Sequence, residues 1–286
     1  MKKVLVVGKN SYVGQELNKW ITNKYSSQIK LDLVGSKNGE WETIEFSKYD
    51  SIIHVAGIAH IREKKSNENI YKEINTNLAE SVAKKAKKAG VKQFVFLSSM
   101  SVYGLTTGVI TRNTKAIPNS YYGKSKLEAE HKIKNLVDDN FTLAIVRPPM
   151  IYGLGCKGNY QKISKMSKIT PFFPKVNNSR SMLHIYNLTE LLSIIILNQK
   201  SGYFFPQNKE YVDVGDLVIT IGEIHFHKIY LIRGLKKIIN NIRLNVFEKV
   251  FGNLIYEKEM SLLDEDYHVI DYYNSVVISE KQSKLN

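Results

Sequence analysis

Tyr122 and Lys126 lie four residues apart in Tyr122-Gly123-Lys124-Ser125-Lys126, a spacing that puts two side chains on one helix face. A free phenol has a pKa of about 10, and a neighbouring ammonium favours the phenolate, bringing the group toward proton transfer near neutrality. Tyr121 stands beside it but has no lysine four residues on. Upstream, Phe96-Leu97-Ser98-Ser99 reads as the end of a strand, from which the Ser99 hydroxyl can bond the oxygen that Tyr122 protonates. Such a set moves a proton on and off a carbinol or carbonyl. The matching hydride has to come from a carrier held elsewhere.

A place for that carrier opens the chain. Lys3-Val4-Leu5-Val6-Val7 is the short apolar run of a buried parallel strand, and it enters Gly8-Lys9-Asn10-Ser11-Tyr12-Val13-Gly14. A helical pattern follows at Val13, Leu17, Trp20 and Ile21. Gly8 permits the tight turn, Gly14 lets the helix pack on the strand, and the helix N-terminus faces a pyrophosphate. Asn10, Tyr12 and Val13 complete the turn. Ser11 replaces the middle glycine expected there and offers its N–H and hydroxyl to a phosphate. Further strands are expected near 3–7, 29–34, 51–56, 93–98 and 142–147, with helices near 12–24, 70–89 and 121–137. That alternation predicts an α/β doubly wound parallel sheet. Ala56 and Gly57 end a strand on the side where small residues admit a ligand, His54 reads as core, and Asn75 is a poor helix former inside a helix.

With these blocks in place the chain resembles the extended short-chain dehydrogenase/reductase superfamily, in its nucleotide-sugar branch. The blocks are Gly8 to Gly14, Ile53 to Gly57, Ile74 to Asn77, Ser98 to Gly104, Tyr122 to Lys126, Val146 to Gly153 and Arg180 to Leu188. The resemblance covers residues 1 to 200 well and the rest weakly. It implies a Rossmann-like NAD(P)-binding domain over 1–156, a helix near 187–199 returning to it, and a smaller substrate-binding cap over 157–286. It makes Ser99, five residues before Gly104, the catalytic hydroxyl beside Tyr122 and Lys126, with Ser98 as the alternative. Lys126 also holds the nicotinamide ribose, Asn75 kinks its helix to place a water near the lysine, and the Pro148 backbone borders the nicotinamide. Arg180 and Asn159 become contacts to the substrate diphosphate, and Phe172 or Phe173 helps close around a uracil. The family's second diphosphate arginine has no counterpart near 251–253, where only Lys249 is found. For the cofactor ribose, Asp32 lies near the place of the expected acid. If the Asn23 to Gln28 loop sets Asp32 back into its strand, Ser36 and Lys37 face the 2′ position instead. NADPH and NADH both stay open, with NADPH preferred.

Two activities fit this branch. One is a reductase delivering hydride from NAD(P)H to C4 of a UDP-4-keto-6-deoxy-N-acetylhexosamine, as in UDP-N-acetylfucosamine synthesis for capsule and O-antigen. The other is a UDP-sugar 4-epimerase with NAD kept bound. The reductase is the reading adopted. A dehydratase needs an Asp-Glu pair where Met100-Ser101 stand, and a non-catalytic dinucleotide sensor would not be expected to keep Ser99, Tyr122 and Lys126 intact. The short Trp41 to Phe46 connection is similar to that of dTDP-4-keto-rhamnose reductases. A homodimer is implied through the two helices near 70–89 and 121–137, with stripes at Leu78, Val82, Ala86 and at Leu127, Ile133, Val137.

The bulk numbers set outer bounds. At 286 residues and 43 % hydrophobic content the chain suits one large or two modest domains. One cysteine, Cys156, excludes a disulfide framework and points to the cytoplasm. Met1-Lys2-Lys3 before a strand is too short for a leader, and no apolar run suffices to span a membrane. The net charge of +14 comes without a nucleic-acid module, so it favours anionic substrates and peripheral contact with an anionic membrane face, and no nucleic acid. A helix near 188–198, two more near 213–222 and 232–251, and a strand at Asn253 to Tyr256 are expected. The last twenty residues follow no recognised pattern, and no metal site is expected.

Overall fold

The computed structural model describes residues 1–59, 64–175, 177–233 and 252–281. Strand β1 (Lys2–Val7) sends Val4 and Val6 into one core and Leu5 and Val7 into another. A strand buried on both faces must be continuously apolar, which is why this run shows no alternation. β1 belongs to a six-stranded parallel sheet with β2 (Ile29–Val34), β3 (Ser51–His54), β4 (Gln93–Leu97), β6 (Thr142–Val146) and β10 (Gly202–Phe204). The order is β10-β6-β4-β3-β1-β2. The outer strand β10 was not expected.

Helices α1 (Tyr12–Lys24) and α6 (Ile185–Leu197) cover the Val4 face. α3 (Leu78–Lys88) and α4 (Tyr121–Lys134) cover the Leu5 face. α6 is begun by His184, whose Nδ1 accepts from the Tyr186 N–H at 3.2 Å. α2 (Glu68–Tyr71) runs through a π-helical turn (Lys72–Asn77) into α3. The wider turn brings the consecutive residues Asn75 and Thr76 both against α4: Asn75 Nδ2 donates to Ser125 Oγ at 3.0 Å and Thr76 Oγ1 to the Ser125 carbonyl at 2.8 Å. Val82, Ala86 and Ile133 are fully buried in the chain's own core. These three stripe residues therefore pack on the chain's own sheet, whereas Leu78 and Leu127 stay half-buried and Val137 exposed. His54 is core, as expected: it stacks with Phe94 and Phe96, and burial with the charge of Lys126 lowers its pKa to about 3.

The remaining elements pair in short parallel ladders: β7 (Met150–Tyr152) with β9 (Met182–His184), β8 (Phe172–Pro174) with β11 (Tyr230–Ile232), and β5 (Gly108–Ile110) with β12 (Leu254–Tyr256). α5 (Asn159–Ser167), α7 (Val214–Ile224) and α8 (Tyr272–Glu280) pack around a separate core that includes Tyr152, Ile163, Leu217 and Val276. α8 falls in the stretch the sequence left unplaced. Its last residue, Glu280, joins α5 and α7, bonding Ser164 at 2.9 Å, Lys168 at 2.9 Å and His225 at 2.8 Å. The helix expected near 232–251 lies mostly outside the described residues. Among the described residues, no helix is long and apolar enough to cross a membrane.

Candidate active site

A parallel sheet aligns the carboxyl ends of its strands, and most of the candidate residues gather there. Gly8 ends β1 at φ +129°, and a Cβ there would come within 2.8 Å of the Ala56 nitrogen. Only glycine makes this turn and this approach. The Gly8 and Lys9 N–H groups donate to the Val34 carbonyl at 3.0 and 2.9 Å, and Ala56 N–H donates to Val7 at 3.1 Å. Ser11 differs from its expected role. Its N–H donates to the Gly8 carbonyl at 2.8 Å, and its hydroxyl caps α1 by accepting from Gly14 N–H at 3.0 Å. Tyr12 and Val13 open the helix, so their N–H groups have no carbonyl four residues back within it. Bare backbone at a helix N-terminus, beside the exposed Asn10, fits a pyrophosphate.

Ser99 caps a 3-10 turn (Met100–Tyr103), accepting from the Ser101 N–H at 3.1 Å. α4 starts against that turn: a Cβ on Gly123 would lie 2.5 Å from the Ser101 carbonyl oxygen. This approach brings Tyr122 to Ser99, and the two hydroxyls share a hydrogen bond. Lys126 reaches the same strand end. It is buried, and its Nζ donates to the Leu97 carbonyl at 2.8 Å, over the Phe96 ring at 4.8 Å. A Cβ on Gly57 would stand 3.2 Å from that Nζ, so the loop after β3 also borders the lysine.

The pKa of Tyr122 departs from the sequence expectation. Burial pushes the phenol above its ordinary value, and the Ser99 bond pulls it only part of the way back. The cation that was to lower it is directed at the Leu97 carbonyl. Lys126 itself is lowered to about 8 by burial, opposed by Glu130. Its charge is therefore present below pH 8 and lost as pH rises through that value. If that charge takes part in turnover, kcat/KM is expected to fall above pH 8, and a pH–rate profile flat to pH 9.5 would contradict this.

Beneath the set lies an ion pair that sequence reasoning missed. Glu130 and Arg147 are buried, joined by Nε to Oε1 at 3.0 Å and by Nη2 to Oε2 at 2.5 Å. Ser98 donates to the same carboxylate, and Arg147 Nη1 donates to Tyr103 Oη at 2.9 Å. Ser98 is thus structural. Helical spacing sets Glu130 on the face of Lys126, but no local pattern pointed to Arg147 as its partner.

Other expected contacts are differently engaged. The Asn75 carboxamide accepts from Ile58 N–H at 2.8 Å and donates to the Ile58 carbonyl at 3.1 Å as well as to Ser125. It clamps the loop after Gly57. The Pro148 carbonyl accepts from Met100 N–H at 2.9 Å, tying the segment after β6 to the Ser99 turn. Asp32 is set back: it pairs with Leu5 inside the sheet, and its carboxylate accepts from Tyr49 at 3.0 Å. Ser36 and Lys37 follow the strand end, half-buried and exposed. Asn159 opens α5. Arg180 lies apart on the approach to β9, donating through Nη1 to the Gly252 carbonyl at 2.7 Å, and burial lowers its pKa.

The profile of the NAD dependent epimerase/dehydratase family matches residues 4–218. A UDP-glucose 4-epimerase of Vibrio cholerae is 30 % identical over 224 residues, 70 % of this chain and 68 % of the relative. An N-acetyl-alpha-D-glucosaminyl-diphospho-ditrans,octacis-undecaprenol 4-epimerase of Escherichia coli O157:H7 is 30 % identical over 174 residues, 59 % of this chain and about half (51 %) of the relative. Among solved structures, a dTDP-4-dehydrorhamnose reductase of Clostridium acetobutylicum superposes with a TM-score of 0.74 at 17 % identity, covering 97 % of this chain and 98 % of the other. With about three quarters of its length matched and its strand ends so arranged, the chain belongs to the NAD dependent epimerase/dehydratase family.

Proposed function

We propose that the protein reduces the C4 ketone of a UDP-4-keto-6-deoxy-N-acetylhexosamine with NAD(P)H. The observation that carries this reading is that Ser99, Tyr122 and Lys126 meet at the end of β4. Tyr122 bonds to Ser99 and keeps its proton at neutral pH, the form a donor to a ketone oxygen requires. The dinucleotide, when held by its pyrophosphate on the Gly8 to Gly14 turn, supplies the hydride. Ser99 orients the C4 oxygen toward the phenol, and Tyr122 gives it a proton. The phenolate left behind regains its proton from solvent, and Lys126, charged below pH 8 and bonded to the Leu97 carbonyl beside it, would hold the nicotinamide ribose. Asn75 and Gly57 keep the loop beside the lysine in place.

A second reading, 4-epimerisation with NAD retained, is supported by the names of the two sequence relatives. One experiment separates them. The purified protein is mixed with the 4-keto sugar and NADH or NADPH, and loss of reduced-nicotinamide absorbance is followed. Stoichiometric consumption supports the reductase. No consumption, with C4 epimers of a UDP-sugar equilibrating on added catalyst alone, supports the epimerase and removes the first reading.

Arg180 is the proposed contact to the diphosphate. Burial disfavours its charge, and a substrate anion would relieve that. Losing a charge-assisted contact costs about 1.5–3 kcal/mol. Arg180→Ala is therefore expected to weaken UDP binding about ten- to hundredfold, since every 1.4 kcal/mol is tenfold. Calorimetry with UDP and with NADPH checks it: equal losses for both ligands would make Arg180 structural.

A further inference from the structure

The acid that reaches the end of β2 is not the one the sequence offers. Glu40 begins a 3-10 turn (Glu40–Glu42) after the loop that leaves β2. Its side chain folds back so that Oε2 accepts from the Gly35 N–H at 3.2 Å. Gly35 directly follows Val34, whose carbonyl takes the Gly8 and Lys9 amides at 3.0 and 2.9 Å. A Cβ on Gly35 would lie 2.4 Å from Glu40 Oε2, so the bare glycine is what admits the carboxylate. Glu40 thus stands against the strand end that borders the Gly8 turn. Asp32 sits two residues inside the strand and is occupied by Tyr49 at 3.0 Å.

We propose that Glu40, and not Asp32, reads the adenosine ribose, and that its charge makes the protein select NAD(H) over NADP(H). This rests on the dinucleotide reading above. In a doubly wound sheet the ribose falls at the carboxyl end of the second strand, where an acid accepts from the 2′-hydroxyl. That contact is charge-assisted and strong. A 2′-phosphate at the same place meets the carboxylate with like charge; Glu40 is exposed, as are Lys9 and Lys37 nearby, but Glu40 alone of the three is held at the strand end by a side-chain bond to Gly35. The feature was hidden in the sequence because Glu40 reaches the site through the path of a loop, and no strand pattern encodes that path.

Calorimetric affinities for NADH and NADPH, measured separately on the purified protein, test the assignment. NADH should bind at least about tenfold more tightly. Glu40→Gln keeps an acceptor for the Gly35 N–H but removes the charge, so it should shrink the NADH preference about tenfold, chiefly by tightening NADPH. Gly35→Ala leaves Glu40 unchanged yet displaces its carboxylate, and should shrink the preference as well. Asp32→Asn should leave the ratio as it is. Tighter NADPH binding by the natural protein, or a Glu40→Gln ratio within about twofold of it, overturns the proposal. If neither dinucleotide binds, the proposal falls together with the dinucleotide reading beneath it, whereas equal binding of both refutes only the role of Glu40.

Discussion

Tyr122→Phe is expected to lower turnover about 10²–10⁴-fold, the usual contribution of a positioned general acid. The substitution removes one oxygen and keeps the ring, whose neighbour Tyr71 lies 6.3 Å away centroid to centroid. Packing at the start of α4 should therefore survive, and cofactor affinity should stay near that of the natural protein. The Ser99 hydroxyl loses its bond to the phenol but keeps the Ser101 N–H at 3.1 Å, so its position is held without Tyr122. Steady-state kinetics paired with calorimetry measure both quantities. A variant with more than half of the original kcat would remove Tyr122 from the chemistry.

The largest expected loss of stability comes from separating Glu130 and Arg147. Removing one member of a buried pair leaves an uncompensated charge, at about 3–5 kcal/mol. Glu130→Ala should show this in full, because it strands the guanidinium and also deprives Ser98 of its acceptor. Arg147→Met should cost about as much by leaving the carboxylate alone. Replacing both, as Glu130→Leu with Arg147→Met, should recover much of the loss, because a well-packed apolar pair is often close to neutral. Denaturant unfolding of the three variants decides it. Additive losses in the double variant would mean that the two residues act independently, contrary to the geometry.

Much of this was written in local pattern. Val4 to Val7 could be read as a buried strand because a two-sided core leaves no room for polar alternation. Tyr122 and Lys126 could be paired because helical spacing alone puts them on one face. The set-back of Asp32 was anticipated as a consequence of the longer loop before β2. Other features depend on how distant segments meet. Three residues, Gly202-Tyr203-Phe204, carry too little pattern to announce a strand, and β10 exists because β6 offers it an edge. The rise in Tyr122's pKa comes from what buries it, and the direction taken by Lys126 comes from the Leu97 carbonyl. Ser11 was read as a phosphate contact because residue type shows capacity without showing which partner wins.

The order of the sheet also bears on how the chain folds as it is made. Strands β1, β3, β4 and β6 follow one another outward, so each can dock on the last as it leaves the ribosome. The growing sheet then ends on β6, whose open edge is a template for unwanted pairing. It stays open until Gly202–Phe204 has been synthesised, because β10 is the strand that covers it among the described residues. The opposite edge, β2, is present early and carries the exposed charges Lys30 and Asp32, which discourage such pairing. A nascent chain arrested between residues 146 and 202 is therefore the species most exposed to aggregation. Parallel sheets, whose contacts join distant segments, form slowly enough for that interval to matter.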